Sequence, residues 1–376
     1  MRPLRIEPVT NRYQQRDWLE LPWKVNGGDP CWVPPLRDMQ RRLAGFAPHP
    51  IWNDCTAQAY LASRGPEPVG RVLAIENRAH NRHCEDKTGF FGFFECFDDP
   101  EAARGLLGAA EGWLRERGLE SSQGPMNPAI NYEFGTLIEG FDTPPYFLLT
   151  HNLPYHQSLI EGAGYGKCQD MYAYRGDIDM LDAISKNEKM LTVDKMVRDR
   201  FGVTVRGMRA NRFEEEVETF LEIYNSAMAE TWGHVPMSEQ EVIHFANDLR
   251  RLLVPELSRI AEIDGRPVGC VFGLLDYNPR IKQIDGRLFP TGWATLLGNK
   301  KALKRIRLVS TNVLPEYQTW GVGICLTVDL LKPALDHGVT DCEFSWVLES
   351  NDISRKTIEK GGAERYKTWR LFEKGL

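Results

Sequence analysis

The sequence predicts an α/β chain of the α+β type, with two tandem domains that each hold a mixed, mainly antiparallel sheet flanked by helices. Its 376 residues suit two domains. An internal repeat with an offset of about 200 residues relates the two halves. Strands and helices follow one another in the same order in both halves, which favours mixed, mainly antiparallel sheets. The clearest matches are "YLASRGPEPVGRVLA" at 60–74 with "RIAEIDGRPVGCVFG" at 259–273, and "LIEGAGY" at 159–165 with "TIEKGGA" at 357–363.

Each half begins with a short strand and continues with an amphipathic helix, a hairpin, a further strand and a further helix. The hairpin turns carry glycine and proline, which are strong turn residues. The later helices are predicted at about 100–117 and 322–337. Each ends at a glycine, Gly118 or Gly338, that suits a left-handed C-cap. The strands outside the hairpins are expected at 3–9, 89–97, 202–208 and 306–314.

The repeat divides the chain into three parts. Residues 1–175 form the first copy and residues 203–376 the second. Between them, 176–202 is polar and free of proline, and its later part is predicted to be helical, so we expect a structured connector. Each copy also carries one insertion that the other lacks, 121–147 in the first and 286–301 in the second.

Composition and charge argue against several classes of protein. The net charge of −6 and the pI near 5.9 give no basic footprint, so no nucleic-acid partner is expected. The eight cysteines include no Cys-x-x-Cys pair, which argues against a disulfide framework or a zinc site. His80 and His83 have a His-x-x-His spacing, but no metal-type pattern accompanies them, and no metal is expected. The sequence has no signal peptide and no apolar run of membrane-spanning length, so we expect a cytoplasmic protein. The oligomeric state is left open.

One junction between a strand and a helix carries unusual residues, "VLPEYQTWGVGIC" at 313–325. Pro315 ends the strand, because proline cannot donate to a ladder. Gly321 and Gly323 allow unusual backbone angles and the close approach of a ligand. The free N–H groups at the start of the helix, near Val322, lie at the positive end of its dipole, which suits a phosphate. A tight loop that simply needs glycine is the alternative.

The residues around these glycines resemble the sequence motif of a known family. Residues 318–323, "QTWGVG", match the Q/R-x-x-G-x-G/A signature of the GNAT acyltransferase superfamily. The next strand, "DCEFSWVLESN", and the closing segment from Asn351 are similar to that family's fifth strand and final helix and strand. The resemblance covers 203–375 well and 1–175 as a degenerate second copy, as in large bacterial GNAT-like proteins.

The resemblance implies an acyl-coenzyme A-dependent N-acyltransferase, with acetyl transfer as the first expectation. The co-substrate would be acetyl-CoA or another acyl-CoA, and no metal would be needed. The amine of a small molecule or a peptide would attack the thioester directly, so that positioning carries much of the rate. A backbone N–H near Leu314 would stabilise the oxyanion. The residues implied to bind the co-substrate are Asn312, Val313 and Leu314 along the pantetheine arm, Gln318, Thr319, Trp320, Gly321, Val322, Gly323 and Ile324 around the pyrophosphate, and Asn351.

The sequence does not determine which residues act as the general acid and the general base. Many family members use a tyrosine on the closing helix to protonate the thiolate, and the matching position here is Ile358. Tyr317 is the candidate replacement, with a packed tyrosine as the alternative. Glu316 and Glu349 lie at expected strand ends and are candidates for the base that takes the proton of the amine, with surface carboxylates as the alternative.

The first half departs from the signature. Asp98, Asp99 and Glu101 would stand near the start of its helix, where they favour the dipole but repel a pyrophosphate. We therefore expect the first copy to bind no CoA, and to brace the second copy and shape the acceptor pocket. The insertions 121–147 and 286–301 are candidates for the lining of that pocket. Two rival functions are a non-catalytic acyl-CoA-binding sensor or scaffold, and a long-chain acyltransferase.

Overall fold

The computed structural model describes residues 2–376, which form two compact units. Unit 1 comprises the chain up to Met171 together with Asn278–Leu296 and Lys367–Leu376. Unit 2 comprises Tyr172–Tyr277 and Leu297–Tyr366. These units differ from the division expected from the repeat, because two later segments of the chain pack with the first half.

Segment Asn278–Leu296 shows why the sequence division and the compact units differ. The Asn278 amide donates to the carbonyl of Pro145 over 2.8 Å. The Arg37 guanidinium pairs with the Asp285 carboxylate at 2.9 Å. The Arg37 N–H also donates to the carbonyl of Gly286 at 3.1 Å. Part of the insertion predicted in the second copy, 286–296, thus belongs to unit 1, through contacts that no local pattern in the sequence reveals.

The first half of the chain alternates strands and helices as expected. In chain order its elements are β1 (Leu4–Pro8), α1 (Arg12–Asn26), α2 (Arg37–Leu43), β2 (Cys55–Arg64), β3 (Glu67–Asn77), α3 (Arg78–Cys84), β4 (Thr88–Cys96), α4 (Pro100–Arg115), β5 (Ser121–Gly124), β6 (Met126–Asn127), β7 (Glu133–Phe134), β8 (Thr136–Glu139), α5 (His156–Glu161) and β9 (Gly166–Asp177).

The rest of the chain repeats this order after two connecting helices. Its elements are α6 (Ile178–Ser185), α7 (Glu188–Phe201), β10 (Val203–Gly207), α8 (Phe213–Met228), α9 (Glu239–Leu249), β11 (Ser258–Ile263), β12 (Arg266–Leu275), α10 (Asn278–Gln283), α11 (Gly292–Leu297), β13 (Arg305–Val313), α12 (Val322–His337), β14 (Asp341–Leu348), α13 (Asp352–Lys360) and β15 (Glu364–Gly375).

The sheet of unit 1 has the order β1-β2-β3-β4-β5, and the end of β15 pairs with β5. Neighbouring strands are antiparallel, except that β4 and β5 are parallel from Thr88–Ser121 to Phe90–Gln123. Helix α4 packs on this sheet and buries Leu106, Leu107 and Ala110 completely.

The sheet of unit 2 has the same plan. Strands β10, β11, β12 and β13 are antiparallel neighbours, and β14 runs parallel to β13. Helix α12 buries Val322, Cys325 and Leu326 against this sheet, with Val197 of α7 in the same cluster. It ends at Gly338, whose φ of +88° is the left-handed C-cap that the sequence predicts. The predicted fold class is confirmed in both units. Within residues 2–376, no helix is long and apolar enough to cross a membrane.

Candidate functional site

Strands β13 and β14 of unit 2 separate part-way along their length. They pair in parallel from Arg305–Asp341 to Leu308–Phe344. The register between β12 and β13 shifts at this point, which marks a bulge at Val309. Beyond it, β13 continues to Val313 with β12 on one side and, among the described strands, no partner on the other. An exposed strand edge with free backbone groups is therefore available to an extended ligand.

The hydrogen bonds of β13 show which of its N–H groups face the open edge. The N–H of Leu314 donates to the carbonyl of Val268 over 2.9 Å, so it faces β12. Successive N–H groups of a strand point to opposite edges, which places those of Thr311 and Val313 at the open edge. The carbonyl of Val313 accepts a hydrogen bond from the Gln318 amide at 3.2 Å, in agreement with this direction. At the open edge, the N–H next to Leu314 in the chain is therefore that of Val313.

A helical turn and a left-handed glycine connect the open edge to α12. Pro315–Trp320 form one short 3₁₀ helix, and Gly321 follows with a φ of +89°. A Cβ on Gly321 would also lie 2.9 Å from the Val197 side chain. A Cβ on Gly323 would meet nothing within 4 Å, so the fold itself does not demand this glycine. The first turn of α12 has no side-chain cap. The N–H of Ile324 donates to the carbonyl of Gly321 at 2.9 Å, so the N–H groups of Val322 and Gly323 are the ones that suit an anion.

Comparison with known proteins identifies the family. No protein-family model matches the chain. It is 34% identical to Protein YghO of Escherichia coli K12, over 99% of this chain and 95% of that protein. It is also 34% identical to a bacterial ceramide synthase of Caulobacter vibrioides, over 99% of this chain and 98% of the relative. A solved tandem GNAT protein from the clavulanic acid biosynthesis pathway matches with a TM-score of 0.58 and 14% identity, over 99% of this chain and 98% of that one.

This chain belongs to the family of these two relatives, and it has the fold of a tandem GNAT protein. A GCN5-related N-acetyltransferase of Sphaerobacter thermophilus matches with a TM-score of 0.54 and 14% identity, over 100% of this chain and 97% of that one. At such low identity, these solved structures show the shared fold alone. The resemblance read from residues 318–323 is confirmed at the level of family and fold.

Aromatic packing fixes the turn before α12 in this tandem GNAT protein. The Trp320 ring lies on Phe201 with the centroids 4.5 Å apart, and Tyr317 meets Trp320 edge-on at 4.9 Å. Both side chains are partly buried against the core of unit 2. This packing favours the structural alternative for Tyr317. Thr319 is exposed, and the buried Asn312 amide donates to Ser310.

The remaining candidates from the sequence lie in ordinary environments. The exposed Glu316 is 3.4 Å from Arg266, at a distance typical of a loose surface pair. Glu349 follows β14, and its carbonyl accepts a hydrogen bond from Arg355 at 2.6 Å. Asn351 caps α13 by accepting the N–H of Ser354 at 3.0 Å. The half-buried Ile358 occupies the family's tyrosine position on α13 and offers no proton.

A buried polar cluster lies where β13 and β14 begin to separate. Arg307 Nε donates to Ser345 Oγ at 2.9 Å, and Ser345 Oγ donates to Glu343 Oε1 at 2.6 Å. Tyr366 Oη donates to the other oxygen of Glu343. This cluster was not predicted from the sequence, although an arginine and a glutamate inside two apolar strands are a visible signal.

The matching region of unit 1 is closed to a phosphate. Asp99 caps α4 by accepting the N–H of Ala102 at 3.1 Å, and Arg64 binds the same carboxylate at 2.6 Å. The gap between β4 and the end of β5 is also filled, since Asn127 Oδ1 accepts the N–H of Phe93 at 2.6 Å. These contacts support the expectation that the first copy binds no CoA.

We expect Asp99→Ala to lower the free energy of unfolding by about 1–2 kcal/mol, because the helix loses its N-cap and Arg64 loses its partner. The hydrogen bond from Arg64 is the main cause that holds the pKa of Asp99 below its usual value. The contribution is therefore complete above the unfolded-state pKa, and it is lost as the pH falls through the lower folded-state value. Thermal unfolding across an acid series should show the two proteins converging. The exposed Asp98→Ala is the control, and an equal loss in both variants would contradict this account.

Two further expectations can be compared with the structure. Residues of the insertion 121–147 line a cavity in unit 1, whereas none of 286–301 does. His80 is close to Cys84 and Asp86, with one potential ligand atom from each within 4.8 Å of the others, and His83 is not among them. The two contacts use opposite ring nitrogens, at 3.8 Å from Cys84 and 3.4 Å from Asp86. Such contacts hold the ring in place, and we assign no metal to them.

Proposed function

We propose that this tandem GNAT protein is an acyl-CoA-dependent N-acyltransferase whose second copy binds the donor. One observation carries the proposal. In unit 2, an uncapped helix N-terminus follows Gly321 directly, beside a strand edge that has lost its partner. A pyrophosphate fits the first feature and an extended pantetheine arm fits the second. Unit 1 has the same strand and helix with both features closed.

We propose the donor and the acceptor from the relative whose name states a reaction, the bacterial ceramide synthase. A ceramide is the amide of a fatty acid and a sphingoid base, which is a long-chain amino alcohol. The 34% identity to a bacterial ceramide synthase extends over nearly the whole of both chains. It supports a long-chain acyl-CoA and an amino-alcohol acceptor over the acetyl donor that was the first expectation. The cytoplasmic location stays a prediction.

The reaction needs positioning and charge stabilisation from the chain. The amine nitrogen attacks the thioester carbon, an amide C–N bond forms, and the C–S bond breaks. The thiolate takes up the proton that the amine loses, and it leaves as the thiol of CoA. The N–H of Val313 at the open edge would donate to the oxyanion, and the N–H groups of Val322 and Gly323 would hold the pyrophosphate.

The purified protein should join palmitoyl-CoA to a sphingoid-type amino alcohol. We expect an N-acylated product by mass spectrometry, with one free thiol released for each amide formed. Acetyl-CoA in place of palmitoyl-CoA should give at least about tenfold less product, since it forgoes the burial of a long apolar chain. Release of thiol without amide would indicate hydrolysis and contradict the proposal. Tight binding of palmitoyl-CoA without any turnover would favour the sensor instead.

A further inference from the structure

One loop of unit 1, residues 287–294, exposes two large aromatic side chains to solvent. Phe289 is 80% exposed and Trp293 is 51% exposed. Pro290 and Ala294 of the same loop are exposed as well. A single apolar side chain on a surface is ordinary, but here four apolar residues stand within six consecutive positions. The donor site in unit 2 does not explain them.

Hydrogen bonds within the loop fix its shape. The N–H of Trp293 donates to the carbonyl of Leu288 at 2.8 Å, and its indole Nε1 donates to the carbonyl of Pro290 at 3.1 Å. The close turn requires Gly292, because a Cβ there would collide with the carbonyl oxygen of Arg287. The one polar atom of the Trp293 side chain is thus paired inside the loop. The ring can therefore enter an apolar layer without leaving an unpaired donor there.

The base of the loop is fixed to the rest of unit 1 at Gly286. This residue has a φ of +68°, and its N–H donates to the carbonyl of Ile281 at 3.0 Å. Its carbonyl accepts the N–H of Arg37 at 3.1 Å, and a Cβ on it would collide with the carbonyl oxygen of Pro35. A loop that is already ordered loses little conformational entropy when it binds a partner.

The sequence around the loop is basic, although the whole chain carries a net charge of −6. From 278 to 304 it holds six basic residues and one acidic residue, Asp285. The Asp285 carboxylate is paired with Arg37 at 2.9 Å and lies 3.5 Å from Arg287. The Arg287 side chain, at the start of the loop, is 62% exposed. Exposed aromatic residues beside basic ones are typical of a surface that binds anionic lipids.

A cavity of about 130 Å³ lies beside the residues that hold the loop. Pro35 and Ile281, which contact Gly286, both line it. The neighbouring lining residues before α2 are apolar as well, namely Val33, Pro34 and Leu36. One water needs about 10–15 Å³ of such space, so the cavity can hold a group of several non-hydrogen atoms. An apolar loop next to a partly apolar cavity favours a lipid as the partner over a second copy of the chain.

We propose that the loop 287–294 docks unit 1 on the surface of an anionic lipid bilayer. Phe289 and Trp293 enter the boundary between head groups and acyl chains, and Arg287 pairs with lipid phosphates. Such docking differs from spanning a membrane, for which no helix within 2–376 is long and apolar enough. The proposed function gives the contact a role, because a long-chain acyl donor and its amide product partition into bilayers. The docking itself can be measured with vesicles alone.

The test is cosedimentation of the full-length protein with vesicles of phosphatidylcholine and phosphatidylglycerol. Wild type should sediment with them, and the double variant Phe289→Ser, Trp293→Ser should bind at least about tenfold more weakly, since it loses two apolar side chains. The matched control is Ile353→Ser on α13, because Ile353 is 82% exposed and lies in unit 2. The control should bind as wild type does. All of these side chains are exposed, so thermal unfolding should remain unchanged.

Vesicles of phosphatidylcholine alone test the role of charge. We expect wild type to bind them more weakly, and Arg287→Gln to lose about fivefold in affinity for the anionic vesicles, the effect of one cation near such a surface. Added salt should weaken the anionic binding. Equal binding of wild type to both kinds of vesicle would contradict the role of charge.

Three results would overturn the inference. They are no binding of wild type to anionic vesicles, equal binding by the double variant, and an equal loss in Ile353→Ser. Sedimentation velocity without lipid tests the other occupant: if wild type self-associates and the double variant does not, the loop is an interface between copies, and the lipid assignment is wrong. Palmitoyl-CoA titrated in solution separates the two proposals. The double variant should bind it as tightly as wild type does, and an absence of binding in both would remove the proposed function but leave the docking result standing.

Discussion

Gly323→Glu should abolish the binding of acyl-CoA while leaving the protein folded. A Cβ at this position meets nothing within 4 Å, and residue 323 lies in the first turn of α12. An acidic side chain there favours the helix dipole, and glutamate is a better helix former than glycine. The same carboxylate would stand where we place the pyrophosphate. Repulsion between two unit charges about 4 Å apart near a protein surface costs roughly 4 kcal/mol, so we expect an affinity loss of about a hundredfold or more.

A titration with palmitoyl-CoA and thermal unfolding would test this variant. The matched control is Gly108→Glu on α4, an exposed glycine that also has nothing within 4 Å of its Cβ position. Gly321→Glu would be a poorer choice, because its φ of +89° and its contact with Val197 strain any side chain. If Gly323→Glu bound palmitoyl-CoA as tightly as wild type does, the pyrophosphate would lie elsewhere.

Arg307→Leu should cause the largest loss of stability in unit 2. Arg307 is 2% exposed and Glu343 is 0% exposed, and their backbones pair directly across β13 and β14. Removing the cation leaves a buried carboxylate without its opposite charge, although Ser345 and Tyr366 still donate to it. Breaking one side of a buried ion pair costs about 3–5 kcal/mol, and we expect a loss of that size in denaturant unfolding.

The double variant Arg307→Leu, Glu343→Gln separates a lost ion pair from lost packing. Removing the carboxylate charge also removes its need for a partner, so the double variant should regain part of the stability that Arg307→Leu loses. If the two changes destabilise the protein additively, the cost comes from packing and the ion-pair explanation is wrong.

Local patterns in the sequence were enough for the repeated fold. The helix from Val322 to His337 has the predicted bounds, and its cap at Gly338 follows from one glycine after an apolar stripe. The signature at 318–323 likewise consists of six consecutive residues, which are close in space independently of the tertiary fold. Elements defined by short-range periodicity and capping are the ones that a single sequence determines best.

Features that depend on register or on distant contacts were not accessible in this way. Whether Val313 or Leu314 directs its N–H to the open edge depends on the pairing with β12 and on the bulge in β13. Asp29 and His151 are 122 positions apart and meet only in the folded unit. The segment Asn278–Leu296 lies in the second half of the sequence and packs with the first. The charged residues Arg307 and Glu343 are different, because an arginine and a glutamate inside apolar strands can be recognised in the sequence itself.

Hydrogen exchange with and without palmitoyl-CoA tests the central claim, that the second copy alone binds the donor. The account predicts slower exchange in peptides that cover 309–324, where the open edge of β13 and the start of α12 hold the free N–H groups. Peptides that cover 97–103 at the start of α4 should not change, because Asp99 already caps that helix. Protection of 97–103, or no protection of 309–324 at a saturating concentration of ligand, would contradict the account.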